Sequence, residues 1–232
     1  MVIGFIPARG GSKGIVNKNL QKIAGKTLIQ RSVECAVNAG VNKIYVSTDS
    51  DDIALEATKA GALVIKRPID ISGDTATTES SVEHFLKIQN LSPNDIIVLL
   101  QATSPFTNSS DLKEAISRNE ISGKNIFAAI KTDMFQWREV DNKWLEMSHD
   151  RYNRKTRQDF GTLVLETGNF YIFTVQNFGI FNSRFSDNVE PYQVELDSIH
   201  QIDTLEDLVS AQSFGNMKKL KAIEVSNQDL TR

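Results

Sequence analysis

The chain reads as an α/β fold built on a mostly parallel sheet covered by helices on both faces. Three observations carry that expectation. Through the first two-thirds of the 232 residues, short apolar runs alternate with amphipathic stretches. Strands separated by helices of about 10–15 residues imply right-handed βαβ crossovers. One run, Ile96–Leu100, is apolar throughout, as a strand buried on both faces must be. The composition, 40% hydrophobic and 24% charged, is that of an ordinary globular chain and excludes disordered or collagen-like architectures.

Taken in order, residues 2–6 form a β-branched strand that breaks at Pro7 and a glycine cluster. Residues 28–39 follow helical spacing and stop at Gly40, with a strand at 43–47 behind them. A second helix, 50–59, opens on Ser50, Asp51 and Asp52 and closes near Gly61; the strand 63–65 follows. Asp49, Asp51 and Asp52 read as helix caps and dipole partners. Residues 78–89 make a third helix, Ile96–Leu100 the apolar strand, 110–119 a fourth helix and 126–130 another strand.

The rhythm then fails. Residues 134–164 hold Trp137, Trp144, Tyr152 and several basic residues without a period. So long a stretch without regular structure marks a functional loop or an interaction arm. Order returns at 169–173 and 192–202, and Thr204 to Asp207 open a last helix with the pattern of a capping box. Beyond Met217 the chain is polar and expected to fray. In the strand at 169–173, Phe170 and Phe173 belong to the core, whereas Tyr171 carries a polar tip suited to a pocket.

Lys and Arg number 26 against 29 Asp and Glu, a net charge of -3. That balance gives no pull toward nucleic acid or anionic membrane, so any anion must be held by a local site. Cys35 is the only cysteine; no intrachain disulfide is possible, and the thiol reads as a small buried residue. One Cys with the scattered His84, His149 and His200 cannot assemble a zinc site. The start of the chain lacks a signal peptide's charged region and cleavage site. The longest aliphatic run is far below the roughly 20 residues of a membrane span. A soluble, cytoplasmic protein is expected.

Ligands of open α/β sheets bind outside the carboxyl ends of the strands, which points to the polar clusters at 9–14, 47–51, 101–104 and Asp203. The first is the richest. Arg9, Gly10, Gly11, Ser12, Lys13 and Gly14 follow the first strand, with Lys18 and Asn19 just beyond. Glycines let backbone N–H groups converge on phosphate oxygens, and Arg9, Lys13 and Lys18 reverse the overall negative charge locally. Neither a Walker A pattern nor a Gly-x-Gly-x-x-Gly fingerprint is present, which argues against a dinucleotide dehydrogenase.

These residues resemble the nucleotide loop of the CMP-sugar-acid synthetases, the cytidylyltransferases of sialic (N-acylneuraminic) acid and of pseudaminic, legionaminic and octulosonic acids. Further matches fall in the family's order: residues 46–50, Arg67 and Pro68 with Asp74 to Ala76, residues 100–105, Arg157 with Gln158, residues 168–171, and residues 198–204. Together they span residues 1–210. The resemblance implies a single Rossmann-like domain over 1–232, similar to the type A nucleotidyltransferases, with a dimerisation arm inserted at about 134–164 and a homodimer with shared active sites. It implies transfer of CMP from CTP to the anomeric hydroxyl of a 2-keto-3-deoxy sugar acid, with release of pyrophosphate.

It also implies residue roles. The loop 9–14 with Lys18 and Asn19 would cradle the triphosphate, and Arg67, Asp74, Thr75 and Thr78 would surround cytidine. Gln101, Arg157 and Tyr171 would meet the sugar acid, Arg157 taking its carboxylate with a guanidinium fork. Asp203 would hold Mg²⁺ at the α-phosphate, while Arg9 and Lys18 absorb charge on the leaving group. Three positions depart from the family pattern: Gln201 stands in place of a second carboxylate, Thr167 in place of an Asn before the glycine of the sugar site, and Ala102 in place of a Pro. The first two leave open the number of metal ions and the acceptor, which includes pseudaminic, legionaminic, octulosonic or a non-sugar acid. A nucleotide-binding module without turnover is the alternative from another class.

Overall fold

The computed structural model describes residues 1–156, 159 and 161–229, the stretch 221–229 as helix backbone alone. Arg157 and Gln158, expected in the sugar site, lie outside the described residues.

The expected alternation is present. Strand β1 (Val2–Pro7) is followed by the short hairpin β2 (Lys22–Ile23) and β3 (Lys26–Thr27), then α1 (Leu28–Asn38), β4 (Lys43–Thr48), α2 (Asp51–Lys59) and β5 (Leu63–Lys66). Next come α3 (Thr78–Ile88), β6 (Ile96–Leu100), α4 (Ser109–Ser122) and β7 (Asn125–Thr132). The hairpin β8 (Trp137–Val140) and β9 (Lys143–Glu146) precedes β10 (Leu163–Thr174), α5 (Val175–Phe181), β11 (Val189–Gln193) and α6 (Leu205–Asp229).

Seven strands form one sheet in the order β11-β7-β10-β6-β1-β4-β5. β10 runs antiparallel to both of its neighbours and the remaining pairs are parallel. This is the expected Rossmann-like α/β architecture. The chain moves from β1 outward to β4 and β5, then returns to the other side of β1 as β6. The crevice at that reversal, outside the carboxyl ends of β1 and β6, is where such folds bind ligands.

Successive strand residues feed opposite faces. Ile3 and Phe5 of β1, Ile97 and Leu99 of β6, and Tyr171 and Phe173 of β10 pack with Val82 and Phe85 of α3 and Phe178 of α5. Phe5 stacks on Phe85 with ring centroids 4.8 Å apart. The alternate residues Ile6, Val98, Leu100, Phe170 and Ile172 meet α1, α2, α4 and α6 on the other face. Buried Leu28, Ile29, Ser32, Val33, Cys35 and Ala36 give α1 one apolar stripe.

Helix starts follow local chemistry. Thr27 and Gln30 form a reciprocal capping box at α1, Ser50 caps α2 with Asp51 and Asp52 in its first turn, and Thr204 and Asp207 satisfy each other's N–H groups at α6. Among the described residues no helix is long and apolar enough to cross a membrane.

Four expectations are corrected. Residues 134–164 are not devoid of regular structure: β8 and β9 pair as a separate two-stranded sheet, joined by Asp141 and Asn142 in the left-handed region, the geometry of a type I′ hairpin turn. The helix α5 falls where none was expected. The stretch 192–202 is mostly irregular, its strand ending at Gln193. The end of the chain does not fray at Met217; α6 continues to Asp229.

Candidate active site

A cavity of about 490 Å³ opens at the carboxyl ends of β1, β5 and β6. Arg9, Lys13 and Lys18 enter it from the loop after β1, Arg67 from the end of β5, Thr78 and Ser81 from α3, Gln101 and Thr103 from the end of β6, and Asp203 from the turn before α6. Ser12, Gly14 and Asn19 also line it. Residues far apart in sequence thus converge on one space, and the parallel sheet brings them there by ending its strands on one edge.

The glycine loop is held from three sides. Asn19, nearly buried, donates to the Arg9 carbonyl at 3.0 Å. The Gly10 N–H donates to Asp49 at 2.8 Å; Asp49 therefore anchors the loop rather than capping α2, and the Gly10 amide is not free for a phosphate. A Cβ on Gly14 would lie 2.5 Å from the Asp203 carbonyl oxygen, so only glycine lets the first loop touch the last turn. Gly11 sits at φ +56 with open space around it, a conformation that suits glycine.

The cations are paired with acids. Lys18 Nζ donates to the Ile202 carbonyl and to Asp203 Oδ1, each at 2.9 Å, across 185 residues of sequence. The Lys18 side chain is 15% exposed and that of Asp203 73%, so the carboxylate faces the cavity. Asp74 bridges Arg9 at 2.8 Å and Lys13 at 2.7 Å. Hydrogen bonds from Lys13 and Arg9 hold the Asp74 carboxyl below its usual range. Arg67 is buried, donating from Nε and Nη2 to the Ser47 hydroxyl and carbonyl at 3.1 and 2.7 Å. Burial lowers its pKa to about 10, against the pull of Asp49 and with the push of Arg9; it remains a cation at neutral pH.

The Gln101 carboxamide has no hydrogen-bond partner among the described residues and faces the cavity. Gln201 behaves otherwise: its Oε1 accepts from Thr103 Oγ1 at 3.1 Å, while its Nε2 donates to Ser104 Oγ and to the Thr167 carbonyl.

Most of the expected site is assembled, with exceptions. Gly10, Gly11 and Thr75 do not line the cavity, and Asp74 reaches it through its ion pairs. Tyr171 is not in the pocket: it is 2% exposed, in the core against Phe185, and its hydroxyl donates to Glu166. Burial and that contact raise the phenol far above its ordinary range. Its polar tip is satisfied inside the protein, a partner that strand alternation does not reveal. His200 stacks on Phe214 with centroids 4.6 Å apart, a packing role. Sequence reasoning missed Thr77 and Ser81; Ser81 lies one helical turn beyond Thr78, a spacing that puts both on one face.

The cytidylyltransferase family matches residues 3–225. An N-acylneuraminate cytidylyltransferase of Oncorhynchus mykiss is 35% identical over 180 residues, which cover 75% of this chain and 41% of that protein. The chain therefore spans about two fifths of the length of that relative. A pseudaminic acid cytidylyltransferase of Campylobacter jejuni is 30% identical over 217 residues, 90% of this chain and 93% of the relative. Among solved structures, a CMP:2-keto-3-deoxy-manno-octonic acid synthetase complexed with CTP superposes with a TM-score of 0.69 at 16% identity, over 94% of this chain and 99% of the other. At that identity the likeness speaks for the fold. With the glycine loop, the crevice and the match over residues 3–225 agreeing, the chain belongs to the cytidylyltransferase family.

Proposed function

We propose that the cavity binds CTP and catalyses transfer of CMP to the anomeric hydroxyl of a 2-keto sugar acid of the sialic, pseudaminic or octulosonic kind. The observation that supports this most is the meeting of Lys18 and Asp203 in one wall at 2.9 Å, beside the loop that carries Arg9 and Lys13. Phosphate oxygens would replace Asp74 as the partner of Arg9 and Lys13, and Lys18 would turn from Asp203 toward the same chain of phosphates. The hydroxyl oxygen forms the new bond to the α-phosphorus, the bond to the bridging oxygen breaks, pyrophosphate leaves with the electron pair, and the hydroxyl proton passes to solvent. Positioning and charge neutralisation carry such a step. Arg9 and Lys18 receive the charge on the leaving group.

Mg²⁺ fits this donor set. Among the described residues no three His, Cys, Asp or Glu side chains gather at one point, but magnesium is commonly held by one or two carboxylates together with substrate phosphates. Asp203, exposed to the cavity, would be that carboxylate; Gln201 turns its oxygen to Thr103 and would not be a second. The ion, when bound, would neutralise charge at the α-phosphate.

The reading extends to a homodimer. The β8–β9 hairpin exposes apolar side chains on both of its faces, Trp137 and Trp144 on one and Val140 and Leu145 on the other; such surface calls for a cover, and a second copy is the partner we assign to it.

The test is pyrophosphate release from CTP with Mg²⁺ and a panel of N-acetylneuraminic, pseudaminic, legionaminic and 2-keto-3-deoxyoctulosonic acids, with ATP, GTP and UTP in parallel. Release with CTP and at least one acid is expected. CTP binding without release would favour a module lacking turnover, and equal release from every nucleotide would refute cytidine selectivity.

A further inference from the structure

Strand β10 is interrupted where it passes the cavity. Its register against β7 shifts between Glu166 and Tyr171, and Gly168 at the break has φ +73. An interruption of this kind beside a site re-aims neighbouring side chains. Two of them lie on it here: a Cβ at Gly168 would stand 2.7 Å from Gln101 Oε1 and 2.7 Å from Gln201 Nε2. The bare α-carbon is the seat on which both carboxamides rest.

Only one of the two is committed to the protein. Both Nε2 donors of Gln201 are used, one on the Thr167 carbonyl and one on Ser104 Oγ. Ser104 in turn donates to the Gly168 carbonyl at 3.2 Å. Gln201 thus holds the two successive carbonyls of the break, one directly and one through a relay, while Thr103 fixes its own oxygen. The Thr167 hydroxyl is buried without a partner among the described residues, so the break has no anchor at that side chain among them. Gln101, resting on the same glycine, keeps its carboxamide free toward the cavity.

We infer that Gln201 is a positioning residue for acceptor recognition: its carboxamide holds the β10 break at Gly168 in the shape that seats Gln101. This rests on the proposed CMP transfer and deepens it. A carboxylate at the position could accept from Thr103 but would face the Thr167 carbonyl with no proton to offer, so Gln201→Glu should be as harmful as Gln201→Leu.

The experiment measures two quantities on the intact chain. The first is the KM for CTP and for whichever acid of the panel the native enzyme turns over. In Gln201→Leu and Gln201→Glu the acceptor KM is expected to rise tenfold or more, with the CTP KM within twofold of the native value. The second is hydrogen exchange of the amides at 166–170, expected to accelerate locally in the same variants. A merely structural role would raise both KM values together or speed exchange across the whole sheet, and either result, or no change, overturns the inference. Should Gln201→Leu not fold, Ser104→Ala removes only the relay to Gly168, and the same split between the two KM values is expected from it; its absence overturns the inference. If the native chain transfers CMP to no acid, the functional reading fails on its own, and exchange at 166–170 then decides: local acceleration supports the positioning role and its absence refutes it.

Discussion

Lys18 is the least exposed of the three cations that follow β1, and Asp203 is its partner. Replacing Lys18 by Met removes a charge-assisted hydrogen bond of about 1.5–3 kcal/mol, so the KM for CTP should rise roughly 10- to 100-fold by the usual tenfold per 1.4 kcal/mol. Steady-state kinetics measure this; an unchanged KM would remove Lys18 from the phosphate path. Cys35 makes the opposite point. Burial, with Asp111 nearby, pushes its thiol up to about 12, so at pH 8 the reactive thiolate is scarce. Alkylation by iodoacetamide at pH 8 should be slow in the native protein and fast in urea, and rapid native labelling would contradict the burial of Cys35.

At the level of elements, the helix starts and the close approach at Gly14 carry the predictions. Thr27→Ala breaks the capping box of α1 and should lower the unfolding free energy by about 1 kcal/mol in urea titrations. Gly14→Ala places a methyl 2.5 Å from the Asp203 carbonyl; backbone meets backbone there, so the loop must move and CTP binding should weaken more than the fold does. The strands and helices of the parallel part were legible because burial on two faces imposes plain periods, and the caps Thr27, Ser50 and Thr204 mark where helices begin. The hairpin was not legible, because both of its strands are largely exposed and no apolar alternation marks them; only the Asp141–Asn142 turn signalled it. Helix α5 escaped because seven residues are too few to show a period. In the site, the cationic loop could be found from residue type and from the rule about strand ends, whereas Asp203, which follows no strand, was legible only through the family resemblance. The pairing of Tyr171 with Glu166, and of Gln201 with Thr167 and Ser104, could not, since those contacts exist only once β10 is broken at Gly168.

The whole molecule joins a rigid sheet to a hairpin that carries both of its tryptophans, Trp137 and Trp144. Tryptophan emission therefore reports the hairpin alone. Arg151 braces it, pairing with Glu146, donating to the Trp144 carbonyl at 2.6 Å and lying over the Trp137 ring. The Arg151 hydrogen bond lowers the Glu146 carboxyl to about 2. A depressed carboxyl contributes its stabilisation fully above its unfolded pKa, about 4.3, and loses it as pH falls through the folded value. Emission should be constant from neutral pH to about 4.3 and shift between there and about 2, and Arg151→Ala should abolish that shift. The same hairpin carries the dimer proposal. Sedimentation at micromolar concentration should give a dimer, and Trp137→Glu with Trp144→Glu should give a monomer; a native monomer would contradict the assignment of a second copy to that surface.

The proposed transfer requires the cavity between the first loop and the last turn to grip the phosphates of CTP. A crystal structure with CTP and Mg²⁺ tests it most directly. The triphosphate is expected against Arg9, Lys13 and Lys18, with Asp74 released from the two cations it now bridges and Asp203 directed at the α-phosphate. A nucleotide bound elsewhere, with the Asp74 and Lys18 ion pairs undisturbed, would contradict it.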